Sequence, residues 1–122
     1  MGFFQTLLIM KKIKHSVING RIENGTNSVQ VQGFIKPGKV VKLALFSDSS
    51  PSKPVNVKLE DTGGDELHPL VSHKEYEPTN GNHFESRKEI YFEGNRDVVV
   101  KAVSSENHTS DFNFQLIFYI EQ

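Results

Sequence analysis

The feature that most constrains this chain is an alternation of apolar and polar residues, sustained from about residue 13 to the carboxyl end. Successive side chains of a β-strand point to opposite faces, so a period of two marks strands that bury one face. The pattern is plainest in Asp111–Glu121, where Phe112, Phe114, Leu116, Phe118 and Ile120 share one face. In Ser28–Ile35, Val29, Val31 and Ile35 oppose Gln30 and Gln32, and Val55, Val57 and Leu59 alternate with Asn56, Lys58 and Glu60. Lys39–Ser47 sets Val41, Leu43 and Leu45 against Val40, Ala44 and Phe46, and two apolar faces predict a central or covered strand. Asp97–Ser104 has Val98, Val100 and Ala102 against Val99, Lys101 and Val103. Ile13–Ile22, Glu66–Ser72 and His83–Glu93 complete the set. Pro69 cannot donate a ladder hydrogen bond, so Glu66–Ser72 is expected at a sheet edge or broken.

Turn residues separate these segments. Asn24-Gly25-Thr26-Asn27, Thr62-Gly63-Gly64-Asp65 and Gly94-Asn95-Arg96 are compact turns, and Asp48–Pro54 is a loop. Pro37-Gly38 suits the central positions of a type II turn, where proline presets φ and glycine takes a positive φ. Asn19-Gly20 predicts a turn or bulge inside the first segment, and residues 72–83 form the longest polar connection. No amphipathic helix is evident. About eight strands joined by short turns predict an all-β fold, an antiparallel β-sandwich, with a jelly roll favoured over an immunoglobulin-like arrangement. A chain of 122 residues fits one domain, residues 13–122, preceded by an apolar and basic arm, residues 1–12.

Composition excludes several classes. There is no cysteine, which removes disulfides, thiolate metal sites and cysteine nucleophiles and leans towards a reducing compartment. The net charge of −1 speaks against nucleic acid, whose binders need a basic excess. The charge is nonetheless unevenly spread: residues 1–61 hold 9 basic and 4 acidic side chains (9 − 4 = +5), and residues 62–122 hold 5 and 11 (5 − 11 = −6). Either strands of the two halves interleave and the charges mix, which is favoured, or the surface is polarised for head-to-tail assembly.

The first ten residues, MGFFQTLLIM, are too short to span a bilayer. Lys11, Lys12 and Lys14 follow the apolar run instead of preceding it, so a secretory signal is not expected. Met1-Gly2 with Thr6 fits the short myristoylation pattern, but bulky Phe3 and Phe4 directly follow the glycine. The expectation is synthesis in the cytoplasm without membrane association, with incorporation into a virion as the destination. The arm's Phe3, Phe4, Leu7, Leu8 and Ile9 are too apolar to lie free in water, so they are expected to pack on a protein surface.

Chemistry is sparsely signalled. The nucleophile elbow, H-E-x-x-H, phosphate loop and dinucleotide fingerprint are all absent, and no enzyme activity and no cofactor are expected. Among His15, His68, His73, His83 and His108, the only local cluster joins His68 and His73 with Asp65, Glu66 and Glu75, and strand geometry brings at most two ligands together, so no metal site is expected. Asp61 and Asp65 around Gly63-Gly64 are too few for calcium and are ordinary turn residues. Asn24-Gly25-Thr26 and Asn107-His108-Thr109 match the glycosylation sequon by chance of turn composition. Most Phe residues fall at core positions, whereas Tyr76, Tyr91 and Tyr119 are the surface candidates.

Two function classes remain. The first is a non-enzymatic structural protein that self-associates or joins a larger protein assembly through its arm, in its most concrete form an auxiliary or decoration subunit of a phage capsid. The second is a carbohydrate- or ligand-binding module using the 72–83 loop, with Tyr76, His73 and Asn80 forming a platform for a glycan.

Overall fold

The computed structural model of the chain describes residues 12–78 and 86–122. These form β1 (Ile13–Ile22), β2 (Ser28–Ile35), β3 (Lys39–Ser47), β4 (Asn56–Asp61), β5 (Glu66–Ser72), β6 (Lys88–Glu93), β7 (Arg96–Val103) and β8 (Phe112–Glu121). One 3₁₀ turn, His73–Tyr76, follows β5. The segment expected from His83 begins as a strand at Lys88; residues 79–85 lie outside the described residues. Among the described residues no helix is long and apolar enough to cross a membrane.

The strands build a β-sandwich of two four-stranded antiparallel sheets, with order β1-β8-β3-β6 in sheet one and β2-β7-β4-β5 in sheet two. The pairings are nested: β1 with β8, β2 with β7, β3 with β6, β4 with β5. Strands from the two halves of the chain therefore alternate across each sheet. This accounts for the uneven charge. Cations of the first half meet acids of the second: Lys42 with Glu89 at 3.8 Å, Lys53 with Glu106 at 3.6 Å and Lys58 with Glu66 at 3.6 Å. The favoured reading of mixed charges holds, and a surface polarised for head-to-tail contact does not follow from the sequence halves.

Between the sheets lies the core, where Phe112, Leu116, Phe118 and Ile120 of β8 meet Val57 and Leu59 of β4 and Val98, Val100 and Ala102 of β7. Each large apolar side chain so buried contributes about 1.5–3 kcal/mol of transfer free energy. β3 and β7 carry apolar residues on both faces because both are central strands. β5 is an edge strand, as Pro69 requires, and its register with β4 shifts on either side of Leu59.

Two local features depart from strict alternation. In β3 the register shifts between Val40 and Lys42. The extra residue turns Val40 from the Ala44 and Phe46 face to the core face, where it is fully buried opposite Ile120. In β1 the expected interruption at Asn19-Gly20 is absent: pairing runs unbroken from Ile13 opposite Glu121 to Ile22 opposite Phe112. Gly20 serves close approach instead. A Cβ there would lie 2.3 Å from the Phe114 ring, so the missing side chain is the space that ring occupies. The Pro37-Gly38 turn has the positive φ expected of Gly38, at 129°. It docks on the next turn over, where the Gly94 N–H donates to the Gly38 carbonyl at 2.7 Å.

Substituting Gly20→Ala should therefore destabilise the domain by about 1–3 kcal/mol, the usual cost of overpacking. Urea unfolding of Gly20→Ala and of Gly20→Ala/Phe114→Leu checks this. The second change should restore part of the loss; an unchanged midpoint in the single variant would contradict the close approach.

Candidate functional site

The loop after β5, which the sequence predicts as a ligand platform, has another role in the structure. Ser72 caps the 3₁₀ turn, its Oγ accepting from the Lys74 N–H at 3.3 Å. Residues three apart in a 3₁₀ turn stack on one side. Here those residues are His73 and Tyr76, and both point inward: Tyr76 is 0% exposed and His73 4%. The Tyr76 hydroxyl donates to the Val57 carbonyl at 3.1 Å and lies 2.8 Å from His68 Nδ1. Burial pushes the Tyr76 phenol well above its ordinary pKa, so it stays a neutral donor. The ring is a core residue and cannot serve as a stacking platform, which corrects the expectation placed on it. Its residue type misled; the His73/Tyr76 spacing was the usable signal.

His73 anchors the turn to Val55, the residue just before β4. Its backbone N–H donates to the Val55 carbonyl at 2.9 Å, and its Nδ1 lies 3.3 Å from the same oxygen. Its Nε2 is 3.5 Å from a Glu77 carboxylate oxygen. Phe112 packs between two imidazoles, edge to face with His73 at 5.7 Å and stacked with His108 at 6.4 Å. His108 Nε2 is 2.8 Å from Ser104 Oγ, and its Nδ1 is buried without a partner. Burial first, and Lys53 second, push its pKa below the ordinary histidine range.

A groove of about 400 Å³ opens between the β3–β4 loop and this turn. Ser47, Ser50, Lys53, Lys74 and Glu77 are among its lining residues, with His73 at one wall. Its polar lining holds no exposed aromatic face. Asn80 of the expected platform, and the arm residues Phe3, Phe4, Leu7, Leu8 and Ile9, lie outside the described residues. Asp61, weighed as a calcium ligand, holds its own turn: Oδ1 accepts from the Gly63 and Asp65 N–H groups, each at 2.9 Å. Among the described residues no three His, Cys, Asp or Glu side chains group as a metal ion would need.

The outer faces of the sheets carry the remaining features. On sheet two, Lys58 and Lys101 sit directly opposite each other. Glu60 reaches both, with Lys101 Nζ at 2.9 Å and Lys58 Nζ at 3.0 Å. Hydrogen bonds from Lys101 and then Lys58 hold the Glu60 carboxyl below the usual carboxylate range, and the Glu60 bond holds Lys58 above the usual lysine range. On sheet one, Arg87 covers Tyr119, its Nε donating to the hydroxyl at 3.1 Å. Tyr119 is thus buried despite its outward position, whereas Tyr91 is 62% exposed.

The exposed large apolar side chains among the described residues are Val17, Phe34, Leu70 and Tyr91. They lie on β1, β2, β5 and β6, which are the four edge strands. β1 and β2, which carry Val17 and Phe34, meet along one side of the sandwich, with Val17 on the outer face of sheet one and Phe34 on that of sheet two. There the Lys36 N–H donates to Ser16 Oγ at 3.0 Å, and the Ile18 side chain fills the space beside Gly33.

No protein-family model matches the chain, and no curated protein matches it. Solved β-sandwich structures are similar to it at low identity. The cyanophage Pam1 capsid asymmetric unit is 12% identical over 91% of this chain and 85% of that one, with a TM-score of 0.49. The Yersinia pseudotuberculosis-derived mitogen is 13% identical over 91% and 87%, with a TM-score of 0.41. TmCBM61, solved in complex with β-1,4-galactotriose, is 11% identical over 93% and 90%, with a TM-score of 0.35.

The Glu60 cluster has a pH signature. A carboxylate held below its unfolded value of about 4.3 lends stability above that pH, and the contribution is lost as pH falls through the lower folded value. Glu60→Gln removes the carboxylate and leaves two ammonium groups opposed. The gap in urea midpoint between wild type and Glu60→Gln should be widest near neutral pH and narrow as pH falls through the lowered Glu60 value. A gap that stays constant with pH would contradict the role given to Glu60.

Proposed function

We propose that this chain is a non-enzymatic structural subunit that works by associating with protein neighbours through its edge strands and its amino-terminal arm. The observation that carries this reading is the distribution of exposed apolar side chains. Scattered exposed apolar residues are ordinary on any surface. Here Val17, Phe34, Leu70 and Tyr91 instead occupy one edge strand each. Edge strands present unpaired backbone groups, and proteins that stay alone guard them with charge, proline or short length. β1 is ten residues long and β2 eight, and neither contains proline. An apolar residue on a long open edge suits strand-to-strand association.

The finer form of the proposal is a virion-shell subunit, an auxiliary or decoration protein of a phage capsid. Its support is topological. Every consecutive pair of strands except β4 and β5 falls in opposite sheets, and the four nested pairs are those of a long hairpin rolled up on itself, which favours the jelly roll over an immunoglobulin-like arrangement. Jelly rolls recur in viral capsids and also in lectins, so this step is an analogy of fold. The arm would supply the anchoring contact. Phe3, Phe4, Leu7, Leu8 and Ile9 each gain about 1.5–3 kcal/mol on burial, before the cost of ordering the segment is subtracted. A glycan platform at 72–83 is the weaker alternative, because Tyr76 offers no exposed ring.

Light scattering on the full chain, on a chain starting at Met10 and on Val17→Ser/Phe34→Ser tests the proposal. The full chain should form a defined oligomer, and both variants should shift towards monomer with unchanged far-ultraviolet circular dichroism. A full chain that stays monomeric at every concentration would contradict it.

A further inference from the structure

We infer that the end of sheet one, where β1, β8 and β3 lie side by side, is a binding site for a neutral sugar ring. A cleft of about 350 Å³ is present there. Its lining includes Phe46, Phe114, Asn19, Asn113, Gln115 and Asp48. The sheet register explains why these meet. Gln115 of β8 stands opposite Asn19 of β1 on one side and opposite Phe46 of β3 on the other. Asn113 is two residues away on the same face, and Asp48 directly follows β3. Phe114 meets the cleft from beneath: its ring is turned to the core, where the absence of a side chain at Gly20 makes room for it.

The chemistry of the lining selects the ligand. Gln115 Nε2 donates to Asn19 Oδ1 at 3.2 Å, and Arg21 Nε donates to Asn113 Oδ1 at 2.7 Å. These bonds fix the amides and leave Asn19 Nδ2 and Asn113 Nδ2 as donors and Gln115 Oε1 as an acceptor, none with a further partner among the described residues. Asp48 adds a carboxylate, of which one oxygen takes the Ser49 hydroxyl at 3.4 Å. A pair of neighbouring sugar hydroxyls must both donate and accept, and this rim offers both roles. Half-buried Phe46 gives an apolar surface for the C–H face of a pyranose, on the side of its ring away from the Arg87 guanidinium, which lies 5.5 Å from its centroid. Asp48 is the one charged residue of the lining, so a phosphate, sulfate or carboxylate is disfavoured and a neutral ring preferred.

This places a sugar on the outer face of sheet one, away from the 72–77 turn. The groove beside that turn has lysines and serines but no exposed ring, and so lacks the stacking half of the chemistry. The inference does not depend on the assembly proposal, and its readout is affinity, not mass.

Titration of the ¹⁵N-labelled full chain with maltotriose, cellotriose, mannotriose and galactotriose, followed by amide shifts, tests it. At least one of these should give saturable shifts centred on Asn19, Phe46 and Gln115, including the side-chain amides. Phe46→Ala and Gln115→Ala should each weaken that binding about tenfold. Lys74→Ala, in the other groove, should leave it unchanged. Absence of saturable shifts with all four sugars, shifts centred on the 72–77 turn, or unaltered affinity in both cleft variants would overturn the inference.

Discussion

The backbone pairing of β8 is the constraint on which the rest of this structure depends. β8 is the most continuously apolar strand of the chain, with Phe112, Phe114, Leu116, Phe118 and Ile120 all turned to the core. Such a strand can be buried only if its backbone amides and carbonyls find partners, because an unpaired buried polar group costs about as much as a lost hydrogen bond. β1 and β3 supply them from either side. Once the last strand lies between the first and the third, the remaining order follows: β2 takes β7, β3 takes β6, β4 takes β5, and the sheets close over one core. The same nesting brings the basic half of the chain against the acidic half.

Most of this fold was legible in the sequence because its signals are local. Alternation marks a strand whatever its partner, and turn residues mark the ends. The two-faced pattern of β3 foretold a central strand, and Pro69 foretold an edge. What escaped was set by contacts between distant segments. Nothing beside Gly20 reveals that a phenylalanine 94 positions along the chain (114 − 20) fills the space where its side chain would be. Val40 was assigned to the wrong face because a single extra residue inverts everything before it, and only the register against β8 discloses that residue.

Candidate sites were less legible, for a related reason. Tyr76 lies in a polar stretch between Glu75 and Glu77, and composition alone makes it a surface residue. The 3₁₀ turn overrides composition by stacking it with His73 and giving its hydroxyl a carbonyl and an imidazole to bond. The amides of the sheet-one cleft have the opposite history. Asn19, Gln115 and Phe46 are unremarkable in sequence and become a set only through the pairing of three strands. The exposed apolar residues likewise acquire meaning only once the strands that carry them are known to be edges.

In the proposed assembly the edge strands β1 and β2, which carry Val17 and Phe34, meet another protein surface. Hydrogen–deuterium exchange of the full chain in dilute and in concentrated solution tests it most directly. In such an assembly, amides of the open edges of β1 and β2 exchange more slowly as concentration rises, while β8, already paired on both sides, keeps its rate. Identical exchange of β1 and β2 at both concentrations would contradict the claim.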